Sequence, residues 1–206
     1  MSGLTVILIV LAAVALAMVA VLAGQAETSF TAGCKMLAFF ALFLLPGLLL
    51  VVGAGRHYQR AQTTEFCLSC HIMRPYGDSL YIDDSRLLPA AHYQNNRIPA
   101  NRACYACHTD YAMFGDVVDK LRGVRHVRHY FWGTAANPIQ LYKPYSNRAC
   151  LECHQGARSY EENSDHVRFK KELLAGSKSC LMCHTMAHEV DGLARFGRWH
   201  RPEVSP

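Results

Sequence analysis

The first quarter of the chain carries two long runs of apolar residues with almost no polar interruption. The first run extends from residue 4 to residue 23, and a helix of that length matches the hydrocarbon thickness of a bilayer. The second run, from 36 to 54, contains Pro46, which a spanning helix tolerates as a kink. Arg56 and Arg60 follow it and suit the headgroup region. The two runs predict a membrane anchor, residues 1–56, built from two transmembrane helices.

Two processing signals are expected to be absent from this anchor. The first apolar run lacks the basic residues that open a secretory signal peptide, so we expect it to remain in the protein. Cys34 loosely resembles the cysteine of a lipoprotein processing site, but Thr31 stands where that site requires an aliphatic residue. We therefore expect Cys34 to be a free thiol.

Beyond the anchor, polar and apolar positions show no sustained alternation, so no sheet is predicted. Helical periodicity is strongest over 111–131, and shorter helices are predicted over 159–175 and 185–196. The pattern indicates a single domain, 57–206, that is mostly α and irregular.

This domain repeats four times the pattern Cys, two residues, Cys, His. The repeats are Cys67, Cys70 and His71; Cys104, Cys107 and His108; Cys150, Cys153 and His154; and Cys180, Cys183 and His184. The pattern is typical of c-type haem attachment, in which two thiols bond to one porphyrin and the imidazole reaches its iron. Zinc also binds paired cysteines but does not require a histidine after each pair. Since only 11 of 206 residues are histidine, chance does not explain four such histidines, and the sequence predicts four covalently attached haem c groups.

The haem prediction changes how the basic character of the chain is interpreted. A formal charge of +5 and the basic stretch over 120–128 would also suit nucleic acid or anionic lipid. Each haem, however, adds two propionates, with which arginine pairs through its planar fork. Nucleic-acid binding is therefore not expected.

Four haems in one small domain leave too little chain for a separate apolar core around each. We expect a close-packed tetrahaem core wrapped in short helices and loops. Because bacteria attach haem c outside the cytoplasm, residues 57–206 are expected in the periplasm, at the inner membrane. Two spanning helices then place residues 24–35 in the cytoplasm.

Low-spin haems need a second axial ligand, and many histidines are available for that role. The histidines outside the four motifs are His57, His92, His126, His129, His166, His188 and His200.

The segment from Cys67 to Met73, with the sequence Cys-Leu-Ser-Cys-His-Ile-Met, resembles the first haem motif of the NapC/NirT/NrfH family of membrane-anchored quinol dehydrogenases. The resemblance covers roughly residues 36–190, while the apolar run over 4–23 departs from the usual single anchor. It implies that Met73 ligates the iron of the first haem, which lies near the membrane, and that His71 need not be a ligand. Ordinary packing is the alternative role for Met73.

The same resemblance implies that His92, His166 and His188 are distal ligands. By position we expect His166 to pair with His108 of the second motif. His188 and His92 are expected to serve the third and fourth haems, beside His154 and His184, in an order that could be exchanged.

The resemblance also implies a quinol site beside the first haem. Lys120 occupies the position of the family's lysine, but His126 stands where the family has a carboxylate. His126 could ligate the first iron or accept a proton from quinol, because imidazole titrates near neutral pH. A basic helix face that is solvated or paired to propionates is the alternative. Asp119, Arg122 and Tyr76 are secondary candidates for the same pocket.

These features predict a cytochrome that oxidises menaquinol or ubiquinol and passes electrons to a periplasmic multihaem or molybdenum reductase in an oligomeric complex. A cytochrome c nitrite reductase is the first expectation, and a nitrate or other oxyanion reductase the second. The alternative is a haem relay and anchor subunit without its own quinone site. Substrate reduction at an open iron is not expected, because the chain has enough histidine and methionine for every iron.

Overall fold

The computed structural model describes residues 3–24, 31–134, 144–188 and 190–200. Over these residues the protein is helical and irregular, with one isolated bridge between Ile82 and Arg198 in place of any strand. The predicted fold class, mostly α with an apolar N-terminal anchor, is confirmed in these terms.

Twelve α-helices lie within the described ranges. They are α1 Gly3–Gly24, α2 Ala32–Phe39, α3 Leu45–Arg60, α4 Thr64–Leu68, α5 Arg74–Asp78, α6 Leu88–Gln94, α7 Ala103–Cys107, α8 Gly115–Phe131, α9 Asn147–His154, α10 Arg158–Glu161, α11 Ser164–Arg168 and α12 Lys170–Ala175. Short 3-10 helices cover His71–Met73, Ser79–Tyr81, Ala100–Arg102, Cys180–Met182 and Val190–Arg195.

The chain divides into two compact units, Met1–Ala61 and Gln62–Pro206. In the first unit, α1 packs along both α2 and α3. A π-helical turn, Phe40–Leu44, joins α2 to α3, so that one continuous helix runs over Ala32–Arg60.

The π-helical turn lies just before Pro46, at which the sequence predicted a kink. Pro46 has no N–H and cannot continue the helical ladder, and in the turn the Leu45 N–H donates to Phe40 O, five residues back. By length and composition Ala32–Arg60 could cross a membrane, whereas the apolar helix Val6–Val21 is shorter. Residues 25–30 of the predicted cytoplasmic loop lie outside the described residues.

The second unit has a small apolar core in two clusters. One cluster contains Leu80, Tyr93 and Ala103, and the other contains Ile82, Leu87 and Ala90. The C-terminal segment covers both, because Trp199 packs on the first cluster and Phe196 on the second. These clusters fix α6 and α7 relative to the end of the chain.

Two helix predictions in this unit differ from the structure. The predicted helix over 159–175 is three helices, because the side chain of Asn163 accepts hydrogen bonds from the N–H groups of Asp165 and His166 and starts α11 anew. The predicted helix over 185–196 is wrong: the described part contains only a 3-10 helix, Val190–Arg195, and Met186 O instead accepts a hydrogen bond from the Leu88 N–H. The helix predicted over 111–131 begins later, at Gly115.

Candidate functional site

The Cys-x-x-Cys-His motifs lie on short helical turns. Cys104 and Cys107 belong to α7, Cys150 and Cys153 belong to α9, and Cys67 lies in α4. Residues three apart on a helix share a face, so α7 and α9 each present their two thiols to one side. All eight motif cysteines are free of disulfides, as attachment to a cofactor requires.

Three of the four motif histidines face a second imidazole. The ring centroids are 6.1 Å apart for His108 and His188, 5.9 Å apart for His92 and His154, and 6.2 Å apart for His166 and His184. The interplanar angles are 19°, 80° and 44° in the same order. Each pair thus joins one motif histidine to one histidine from elsewhere in the chain.

These separations test whether the residues fit a haem iron. Metal–imidazole bonds are about 2.0–2.1 Å long, and the ring centroid lies about 1 Å behind the nitrogen, so two imidazoles on opposite sides of one metal have centroids about 6 Å apart. All three pairs match that distance. The residues therefore fit bis-histidine ligation at the second, third and fourth motifs.

Hydrogen bonds at Nδ1 orient all three distal imidazoles. His92 Nδ1 lies 2.8 Å from Leu88 O, and His166 Nδ1 lies 3.1 Å from Tyr160 O. Since a carbonyl only accepts, both rings donate from Nδ1 and keep the Nε2 lone pair for a metal.

The third distal imidazole, that of His188, hydrogen-bonds to a hydroxyl group and not to a carbonyl. His188 Nδ1 lies 2.9 Å from the Oγ of Ser79, and that hydroxyl donates to Tyr76 O over 2.6 Å. With its proton committed to Tyr76 O, the hydroxyl accepts from Nδ1. Burial and the neighbouring His108 lower the pKa of His188 to about 4, which keeps the ring neutral, as ligation requires.

The pairing corrects one sequence-based expectation. His166 was expected beside His108, but it lies beside His184, and His188 takes the place at His108. His154 and His184 were both left open as the partner of His92, and in the structure His92 lies beside His154. The reason is local: α10 and α11 form a compact turn that packs the His166 ring on Tyr160, at 4.7 Å, next to the fourth motif.

The first motif is built differently. His71 packs edge-on against Tyr130 of α8, with ring centroids 5.9 Å apart. Met73 ends the 3-10 turn that follows Cys70 and donates its N–H to Cys70 O. That Met73, His71 or His126 ligates an iron here stays a prediction.

Lys120 lies next to the first and second motifs. Its Nζ lies 4.6 Å from the centre of the Tyr105 ring, and Lys120 interacts electrostatically with Cys67 and Cys104. Partial burial lowers the pKa of Lys120. A lysine whose charged form is disfavoured is suited to exchanging a proton with a ligand.

The other quinol-site candidates lie at different places. Asp119 forms an ion pair with Arg122, at 2.9 Å. Tyr76 packs edge-on against His188, with ring centroids 5.4 Å apart, so it lies beside the imidazole pair of the second motif. Burial, with His129 and Arg125, lowers the pKa of His126.

Contacts between motifs give the four sites an order. The Cys104 thiol hydrogen-bonds to Cys67, which lowers the pKa of Cys67 to about 7, so the first and second motifs touch. An equivalent bond between Cys150 and Cys180 joins the third and fourth motifs.

A tyrosine lies between these two halves. Tyr145, just before α9, donates to Cys107 O and packs on the His108 ring, at 6.1 Å. Neither this residue nor Ser79 or Tyr130 was singled out from the sequence, because a single serine or tyrosine outside any motif carries no spacing signal that points to a haem site.

Comparison with known proteins identifies the family. The NapC/NirT cytochrome c family, N-terminal region, matches residues 29–143, more than half of the chain. The chain belongs to this family. The resemblance seen in the first haem motif is therefore confirmed, and the protein is a haem c-binding cytochrome of membrane electron transfer in anaerobic respiration.

Similar curated proteins agree with this assignment. The cytochrome c-type protein NapC of Haemophilus influenzae is 22% identical over 170 residues, covering 74% of this chain and 80% of the relative. NapC of Escherichia coli is 23% identical over 155 residues, covering 67% and 74%. The cytochrome c-type protein TorC of Escherichia coli is 26% identical over 180 residues, covering 78% of this chain but 44% of TorC. No solved structure matches the chain.

Proposed function

We propose that the protein is a tetrahaem quinol dehydrogenase of the bacterial inner membrane, with its haem domain in the periplasm. Haem c supplies one-electron redox chemistry when bound. The observation that carries the proposal is the set of three imidazole pairs at iron-ligating distance, each built on one Cys-x-x-Cys-His motif. With the first motif, they account for four haem sites in one chain.

The three imidazole pairs support one set of ligands. His108 and His188 would hold the second iron, His154 and His92 the third, and His184 and His166 the fourth. The first site, with thioethers at Cys67 and Cys70, would take Met73 as a ligand. His71 and His126 are the alternatives there.

The position of Lys120 supports placing quinol oxidation at the first site. Quinol loses two electrons and two protons on becoming quinone, so the site needs a group that accepts protons. Partial burial lowers the pKa of Lys120 from its ordinary value, which makes the loss and return of a proton at Nζ easier than at an exposed lysine. His126, one turn and a half further along α8, can accept the second proton and release it to water.

The contacts of α4 with α7 and of α7 with α9, together with the hydrogen bond from the Cys180 N–H to Asn147 of α9, support a path from the first site to the second, third and fourth. The acceptor would be a periplasmic multihaem or molybdenum reductase. A cytochrome c nitrite reductase is the first candidate, and a nitrate or other oxyanion reductase the second.

Quinol-dependent reduction of the purified haem protein tests this function. Reduction by a menaquinol or ubiquinol analogue should be blocked by a quinone-site inhibitor, and Lys120→Met should lower its rate by about 100- to 10,000-fold, the range for one proton-transfer group. Lys171→Met, a change on α12, is the matched control and should reduce normally. Inhibitor-insensitive reduction that is equal in both variants would exclude a quinol site at Lys120.

The alternative is a haem relay and anchor without a quinone site. The observation that favours it is α1, whose exposed apolar side chains, such as Leu16 with 72% exposure, could dock another membrane subunit. Co-purification of such a subunit, together with haem reduction that depends on it, would support the relay.

A further inference from the structure

The helix α8 exposes a stripe of apolar side chains on the side away from the first two motifs. Lys120 points to the Tyr105 ring and Tyr130 contacts His71, so these two residues mark the inner side of α8. On the opposite side, exposed apolar residues recur three or four positions apart over the first three turns, and Trp132 follows at the C-terminal end. This α8 stripe consists of Phe114, Val117, Leu121, Val124 and Trp132.

Its members are strongly exposed. Leu121 is 67% exposed, Phe114 is 68% and Trp132 is 74%. A contiguous exposed apolar surface of this kind marks an interaction site, because it costs free energy in water.

The charges around the stripe identify its partner. From residue 120 to residue 132 the chain has four basic residues and no acidic one. At 100° per residue, Arg125 and Arg128 lie on the same side as Leu121. Asp116 and Asp119, the acidic residues of α8, lie on the inner side, and Asp119 is bonded to Arg122.

Arginines within an apolar stripe suit a membrane surface better than a protein core. Their aliphatic stems pack with the apolar side chains, and their guanidinium groups reach phosphates. Trp132 adds an aromatic residue of a type that favours the headgroup region.

We infer that the α8 stripe is a second membrane contact, lying in the interfacial plane of an anionic phospholipid bilayer. The contact goes beyond quinol oxidation, because it would exist equally in a relay without a quinone site. It would hold the inner side of α8, with Lys120, at the depth of the lipid headgroups.

Photolabelling in proteoliposomes tests the inference on the complete haem-loaded chain. The vesicles contain equal parts of phosphatidylethanolamine and phosphatidylglycerol, with a trace of phospholipid that carries a diazirine in its acyl chain. Mass spectrometry should find label in the peptide covering 114–132 and not in the peptide covering 170–175, which contains the exposed Leu174. In vesicles of phosphatidylcholine, or at high salt, the α8 label should be largely lost.

Matched variants separate the stripe from general exposure. Arg128→Gln should lower the α8 label about fivefold, the effect of one basic residue at an anionic surface, and Leu121→Ser should also lower it. Lys171→Gln and Leu174→Ser on α12 should leave it unchanged. An unaltered haem spectrum shows that each variant is folded.

Two results would overturn the inference. One is α8 labelling no stronger than that of 170–175 in the anionic vesicles. The other is rapid disulfide formation between chains carrying Leu121→Cys in a Cys34→Ser background, which would show that the stripe faces a second copy of the protein.

Discussion

Single hydrogen bonds at the distal histidines decide which nitrogen each ring presents. Two of the three rings donate to main-chain carbonyls, which no substitution removes. His188 donates to the side chain of Ser79, which is fully buried. A substitution of this one residue therefore removes the hydrogen bond that orients His188.

Ser79→Ala should raise the reduction potential of the second haem. The bond from Nδ1 makes His188 a stronger donor and stabilises the ferric iron, and a bond worth about 1 kcal/mol corresponds to tens of millivolts. A spectroelectrochemical titration resolves the four potentials, and Ser79→Thr, which keeps the hydroxyl, should restore the original value. If all four potentials of Ser79→Ala equal those of the wild type, the hydroxyl has no such role.

His166→Ala should leave only the fourth haem without its distal ligand. Electron paramagnetic resonance of the oxidised protein should then lose one low-spin signal and gain a high-spin one, while pyridine haemochrome analysis still counts four haems. His129→Ala is the control, because His129 Nδ1 is bonded to Thr134 at the end of α8. Loss of the signal from nearly parallel imidazoles, which belongs to His108 and His188 at 19°, would contradict the pairing.

At the scale of elements, caps rather than length keep the short helices in place. The helix α11 has five residues and cannot persist alone. The side chain of Asn163 satisfies two N–H groups of its first turn and thereby holds His166 on Tyr160.

Asn163→Ala should destabilise the haem domain by about 1 kcal/mol, since it removes this cap. Thermal unfolding of the purified protein measures the change. Asn163→Asp replaces the amide oxygen with a carboxylate oxygen that accepts the same hydrogen bonds, and it should unfold near the wild-type temperature. Equal losses in both variants would mean that the cap is not the cause.

At the scale of the molecule, the haem domain has little apolar core, and buried polar residues connect its motifs. Asn147, 6% exposed, donates to Leu173 O and Lys178 O and accepts from the Cys180 N–H. It thus joins α9, which carries the third motif, to the fourth motif.

Asn147→Ala should lower the free energy of unfolding by about 2–4 kcal/mol, because it leaves buried carbonyls and an N–H unpaired. Chemical denaturation followed by haem absorbance measures it. Asn95 is exposed, and Asn95→Ala removes its hydrogen bond to Ala91 O. This variant should lower the free energy of unfolding by less than about 1 kcal/mol. A small effect at Asn147 would show that the motifs are held together by other contacts.

The sequence by itself determined the covalent chemistry and the broad class of the protein. Spacing within Cys-x-x-Cys-His, apolar run length and the segment from Cys67 to Met73 are local signals, and they predicted the cytochrome c family and the helical fold that were found. Local patterns also located the helix over 115–131, although its start depends on Gly115, where an added Cβ would clash with Asp110 O.

Only the tertiary structure decided which imidazoles meet. His188 is 80 residues from His108 in sequence and reaches it because Ser79 and Tyr76 hold its ring, and His166 reaches His184 because Asn163 restarts a helix. Long-range pairing depends on packing and hydrogen bonds between distant segments, and a histidine outside its motif carries no sign of its partner.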